Sequence, residues 1–216
     1  MGRFTRIASN RRKKRSQLVV FISTGDTCRG PMAAGYFSKL LAERGLAHIE
    51  VRDAGIMTVP GLKATPEAIQ VLDTVDVDLR RHSSRKLSNE SVKRADLILG
   101  MSSFHVQSAL RQSDVARSKT FLFKEYVGFT EKNVQISDPM GGTLEVYKKC
   151  FQEIKRCCDL LIEHGFITGD GKPVKGEGEG ARRKDEMADR PTDSGVKKAA
   201  GEWETCLLYT SDAADE

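Results

Sequence analysis

The sequence predicts an α/β fold built around a four-stranded parallel sheet, and three observations carry that expectation. Short apolar runs alternate with segments of helical periodicity between residues 17 and 165. Gly, Pro, Asp and Ser punctuate the joins between them. The last of the periodic segments, from Leu144 to Leu161, carries an apolar stripe that a 3.6-residue repeat explains and a strand does not.

The elements follow in order. Leu18–Ile22 is an apolar run of strand length, followed by a glycine-containing turn and a helix from about Pro31 to Arg44. Pro31 suits a first helical turn, where its missing N–H costs nothing. Met32, Tyr36, Phe37, Leu40 and Leu41 share one face of that helix. Ile49–Val51 reads as a second strand, and Thr65-Pro66-Glu67 opens a helix expected to bury Ile69, Leu72 and Val75. Ala95–Gly100 is the third strand, Ser102 or Ser103 caps a short helix through Gln112, and Lys119–Phe123 is the fourth. In the final helix Leu144, Tyr147, Phe151, Ile154, Cys158 and Leu161 recur every three or four residues. Cys150 and Cys157 lie on or beside the same stripe and read as small buried apolar groups rather than a redox pair.

Composition bounds the rest. With 216 residues, 39% of them hydrophobic, the chain can bury one good core. The net charge of +5 is uneven, since Arg3, Arg6, Arg11, Arg12, Lys13, Lys14 and Arg15 have no acidic residue among them. Residues 1–16 are expected to form a basic disordered arm able to touch nucleic acid or an acidic surface weakly, a solvated tail being the preferred reading. Residues 166–205 turn to Gly, Lys, Glu and Asp and are expected to form a disordered tail. Residues 206–216 resemble a translated sequencing adapter, so the native C-terminus is expected to be missing. Five unevenly spaced cysteines offer neither a disulfide framework nor paired metal knuckles, and no apolar run can span a bilayer. No signal-peptide pattern follows the basic start, and a reducing, cytoplasmic location is expected.

The segment that carries chemistry is Ser23-Thr24-Gly25-Asp26-Thr27-Cys28-Arg29-Gly30-Pro31, a tight turn between a strand and a helix. Backbone N–H groups at such a turn converge on an anion, aided by the dipole of the helix N-terminus. Gly25 and Gly30 let the backbone curl, and the planar fork of Arg29 can grip two phosphate oxygens. A nucleotide-binding loop is disfavoured because the Gly-Lys-Ser/Thr ending is absent.

This loop resembles that of low-molecular-weight protein phosphatases, Cys-x-Gly-Asn-x-Cys-Arg-Ser-Pro, followed as here by a Met-Ala helix start. Further landmarks stand in the same order: Asp53-Ala-Gly55, His82-Ser-Ser-Arg85, Ala95 to Met101 with His105, and Asp138-Pro-Met-Gly-Gly142 before Tyr147. The resemblance covers residues 17–165 and implies a flavodoxin-like, three-layer fold with helices on both faces of the sheet. It also implies a phosphate-binding loop of Thr24, Gly25, Asp26, Thr27, Cys28, Arg29 and Gly30, with Arg29 holding phosphate oxygens and Asp138 protonating the leaving group. No metal and no cofactor are implied. The partners are a phosphorylated protein or a small phosphomonoester.

The departures are as informative. The nucleophile position holds Ser23, and a hydroxyl stays protonated in a cradle that can ionise a thiol. Gly30 replaces a serine that bonds the thiolate, and Asp26 replaces an asparagine that braces the loop. Cys28 adjoins Arg29 and is not expected to point along the line of attack. Hydrolysis is therefore expected to be weak or lost, and the alternative is a pseudophosphatase that binds phospho-residues or a protein partner. Thr27 and the Gly141-Gly142 pair lean towards phosphoarginine over phosphotyrosine, since tyrosine-directed members usually place aromatics after the Asp-Pro. Arsenate reductases share the fold but need mid-chain cysteines absent here. His82 and His105 read as satisfied surface or core groups.

Overall fold

Seven consecutive buried residues, Gln17–Ser23, make strand β1 the centre of the molecule. The computed structural model describes residues 16–46, 48–130 and 134–163. The expected basic arm, apart from Ser16, and the expected tail and adapter-like segment lie outside these residues. β2 (Ile49–Gly55) and β3 (Leu97–Gly100) flank β1, and β4 (Thr120–Leu122) adds to β3. All pairings are parallel and the strand order is β2-β1-β3-β4. The four-stranded parallel α/β fold expected from the sequence is the one observed.

Alternation along β1 serves both faces. Val19 and Phe21 join Leu97 and Leu99 beneath helices α1 (Arg29–Glu43), α2 (Pro66–Asp73) and α6 (Leu144–Glu163). Leu18, Val20 and Ile22 join Ile98 beneath α3 (Asn89–Arg94) and α4 (Ser103–Gln112). Phe21 meets the edges of Phe37 and Phe123 with centroids 5.7 and 5.2 Å apart. Full burial of one such ring contributes about 3 kcal/mol.

Several boundaries differ from the sequence reading for physical reasons. Helix α1 begins at Arg29, so Pro31 is its third residue; the first N–H groups of a helix have no partner within it, and proline is tolerated there. β2 continues past Val51 to Gly55 because backbone pairing with β1 carries its polar half. α2 buries Ala68, Val71 and Leu72, leaving Ile69 and Val75 at the edge of the contact. β3 starts at Leu97, and Phe123 opens a one-turn helix, α5 (Phe123–Tyr126). The short α3, capped by Ser88, has one buried side chain, Val92, and hence no periodicity to read. No helix among the described residues is long and apolar enough to cross a membrane.

The chain leaves β1 for β2 on one side and returns to β3 on the other. Loops following β1 and β3 therefore diverge at the C-terminal edge of the sheet, where doubly wound folds bind ligands. The loop from Thr24 to Cys28 lies at this point.

Candidate functional site

Residues 24–28 turn tightly from β1 into α1, and Asp26 takes a left-handed conformation at φ 56°, which Asp and Asn tolerate better than other side chains. Among the described residues, none of the backbone N–H groups from Thr24 to Gly30 donates to a protein acceptor. Native backbone donors are rarely left so in succession, and such a row at a helix start suits an anion.

Arg29 lies at the end of this row, 5% exposed. Its Nη1 donates to the Ile136 carbonyl at 3.1 Å and its Nη2 to Thr24 Oγ1 at 3.2 Å. Nη2 also pairs with the half-exposed Asp138 carboxylate, bringing two of the expected site residues together across 109 positions of sequence. Asp138 Oδ1 accepts from the Met140 N–H at 3.2 Å, and Gly142 N–H closes the turn on the Pro139 carbonyl at 2.8 Å. Gly141 sits at φ 75°. A Cβ at Gly142 would lie 3.0 Å from the Pro139 carbonyl oxygen and from Val146, so this turn has room for glycine and little else.

His105 is more involved in the site than its sequence position suggests. It is buried beside the loop, with Nε2 3.0 Å from Thr24 Oγ1 and Nδ1 2.8 Å from Ser102 Oγ. Burial, then the neighbouring Arg29 guanidinium, lowers its pKa to about 4, so the ring is neutral near pH 7. Because Thr24 Oγ1 accepts from Arg29, it is free to donate to His105 Nε2, and Nδ1–H then donates to Ser102. Ser102 is the N-cap residue of α4, and its hydroxyl bonds this ring rather than a helix N–H.

Cys28 Sγ faces the core, 3.3 Å from Tyr147 Oη and 3.7 Å from Thr65 Oγ1. Ser23 is 2% exposed and its Oγ has no hydrogen-bond partner. Asp26 is fully buried. Its Oδ2 accepts from the Arg85 N–H at 2.8 Å, and its Oδ1 has no partner. Gly30 lies between the two unpartnered oxygens: a Cβ there would sit 2.9 Å from Ser23 Oγ and 2.9 Å from Asp26 Oδ1.

Beneath the loop, His82 Nε2 donates to the Asp26 carbonyl at 2.7 Å, while Nδ1 faces Asp53 Oδ2 at 3.4 Å. Burial, then the nearby Asp53 carboxylate, raises the pKa of Asp26 to about 8. That of Asp53 is raised too, chiefly by burial. Donor atoms of Asp26, Asp53 and His82 fall within 4.8 Å of one another, a spacing a metal would need. Arg85 on Asp26 and the raised carboxyl pKa values fit shared protons better, and we assign no metal ligand here. Sequence reasoning passed over Asp53 and His82 as site residues; their signal was a carboxylate beside Ala-Gly and a histidine three residues before Arg85.

Comparison with known proteins points to one family. The family profile described as low molecular weight phosphotyrosine protein phosphatase matches residues 18–166. The protein-arginine-phosphatase of Bacillus subtilis (strain 168) is 39% identical over 145 residues, which cover 67% of this chain and 94% of that protein. A solved YwlE arginine phosphatase, a Cys-to-Ser mutant with a phosphorylated active-site serine, superposes with a TM-score of 0.66 at 34% identity, covering 71% of this chain and 98% of that one. A low molecular weight protein tyrosine phosphatase from T. tengcongensis gives a TM-score of 0.64 at 37% identity, over 69% of this chain and 99% of that one.

Proposed function

The chain belongs to the low molecular weight phosphotyrosine protein phosphatase family, and from that premise we propose that residues 17–165 are a phosphatase-like domain that binds protein-linked phosphoryl groups and hydrolyses them slowly, with phosphoarginine preferred over phosphotyrosine. The observation that carries this reading is the row of uncommitted N–H groups from Thr24 to Gly30, which includes that of buried Arg29.

Each role has a physical basis. Thr24, Gly25, Asp26, Thr27, Cys28, Arg29 and Gly30 supply backbone donors to the phosphoryl oxygens, and the Arg29 fork neutralises their charge. Asp138 pairs with that fork, which places its carboxyl beside a bound phosphoryl group, in reach of the leaving group it would protonate. Ser23 stands where phosphorus is attacked. A hydroxyl is a weaker nucleophile than a thiolate, and an alkoxide is a poorer leaving group in the second step. The YwlE mutant with a phosphorylated serine supports the view that a serine in this position can take the phosphoryl group. Loss of the thiol together with the facing serine, now Gly30, favours a second reading, a pseudophosphatase that binds without turnover.

The substrate lean rests on Thr27, on the glycine turn and on the arginine-phosphatase relatives. Gly141 and Gly142 themselves offer no aromatic side chain against which a phenol would stack. The free Cys28, Cys150, Cys157 and Cys158 suit a reducing cytoplasm, the location we propose. No role is assigned to the basic arm. The test is Ser23→Cys assayed on a phosphoarginine-bearing protein and on a phosphotyrosine peptide. A higher kcat/KM on phosphoarginine is expected, by about tenfold or more, and the reverse order contradicts the substrate assignment.

A further inference from the structure

Three departures from the loop that this one resembles converge on one point of this structure. Ser23 stands in place of the thiol, Gly30 removes a side chain facing it, and Asp26 replaces a neutral amide, with the carboxylate of Asp53 nearby. Two of these residues present the site's unpartnered buried atoms, Ser23 Oγ and Asp26 Oδ1. Both lie 2.9 Å from the point where a Cβ of residue 30 would stand. Without that side chain, rotation of the two groups, or one water between them, links the hydroxyl to the carboxyl. We propose that Asp26 is the proton partner of Ser23, accepting the hydroxyl proton as Ser23 attacks phosphorus and returning it as the phosphoseryl intermediate breaks down.

The proposal rests on the reading of Ser23 as the nucleophile. In the first step the Ser23 Oγ–P bond forms and the bond from phosphorus to the leaving group breaks. The hydroxyl proton passes to Asp26 Oδ1, and Asp138 protonates the leaving group. In the second step water attacks phosphorus and gives a proton to Asp138. The P–Oγ bond breaks, Asp26 returns its proton to Oγ, and inorganic phosphate leaves. A family loop with an amide at this position has no proton to return.

The surroundings suit this exchange. Asp53 of β2 disfavours charge on Asp26, while from the segment before α3 the Arg85 N–H bonds its carboxyl and His82 bonds its carbonyl. Burial and Asp53 hold the Asp26 pKa at about 8, so the fraction ionised near pH 7 can accept the Ser23 proton, and the acid so formed keeps it until the P–Oγ bond breaks.

The test is intact-mass measurement of the full chain mixed with p-nitrophenyl phosphate, followed by removal of substrate, for the parent, Asp26→Asn and Asp26→Glu. p-Nitrophenolate leaves without protonation, which separates Asp26 from Asp138. The parent is expected to turn over with little phosphorylated Ser23 present, and its phosphoenzyme to break down more slowly as pH rises past about 8. Asp26→Asn is expected to accumulate phosphorylated Ser23 and to lengthen its lifetime by about a hundredfold, with no such pH limb. Asp26→Glu restores part of the breakdown. The proposal is overturned if the Asp26→Asn phosphoenzyme decays at the parent's rate, or if the parent itself traps phosphorylated Ser23. It is also overturned if Ser23 is never phosphorylated while Ser23→Cys hydrolyses the substrate. If Ser23→Cys is inactive as well, the phosphatase reading fails with it.

Discussion

Ser23→Cys is expected to hydrolyse p-nitrophenyl phosphate about a thousandfold faster than the parent, and Asp138→Ala on that background to lose about a hundredfold of the gain at a leaving group that needs its proton. The expectation follows from what surrounds residue 23. Uncommitted N–H groups and the buried Arg29 would hold a thiolate at neutral pH, whereas a serine hydroxyl stays protonated there. The gain is limited by Gly30, since no hydroxyl from that position meets the sulfur, and by the carboxyl of Asp26 below. Cys28 cannot explain activity in the parent, because its sulfur is directed at Tyr147 and Thr65 in the core. Steady-state kinetics of parent, single and double variants provide the check. Equal rates in parent and Ser23→Cys would show that residue 23 is not the attacking group.

Asp26→Asn is expected to stabilise the fold, and to do so most above neutral pH. The Asp26 carboxyl has a pKa of about 8 in the folded chain against an ordinary value of 3.8. Between these values the folded state holds a proton that the unfolded state has released, so this group's contribution to stability falls as pH rises and then levels off. Asparagine carries no such penalty and still offers an oxygen to the Arg85 N–H. The gain should be on the order of 5 kcal/mol near pH 8 and close to zero near pH 4. Urea denaturation of parent and variant across that range measures it, and a gain independent of pH would contradict the burial of an ionisable group here. A residue that weakens the fold at neutral pH while facing Ser23 is what a site trading stability for chemistry would contain.

Much of this was legible in the residues themselves. β1 and α6 announce themselves by an unbroken apolar run and by a 3.6-residue stripe, because each is buried along its length or one face. The loop was legible because its glycines, arginine and proline fall within one short stretch, from Gly25 to Pro31. Other features depend on contacts that no local pattern encodes. The polar half of β2 is held by backbone pairing and by Asp53 beneath the loop, and α3 and α5 are too short to show a period. The meeting of Asp26, Asp53 and His82 joins positions 26, 53 and 82 through the end of β2 and the segment paired to it at Gly55. Likewise, that Gly30 stands between two unpartnered oxygens is a fact of the turn's curvature, and the substitutions at residues 23, 26 and 30 look unrelated until the turn is built.

The most direct test of the account is titration calorimetry of the full chain with inorganic phosphate, beside Arg29→Ala. The account predicts binding by the parent, weakened by about a hundredfold or more when Arg29 is removed, since the loss strips both the charge and the fork from the cradle. Absence of phosphate binding by a folded parent, or equal binding by Arg29→Ala, would contradict the assignment of residues 24–30 as a phosphoryl site.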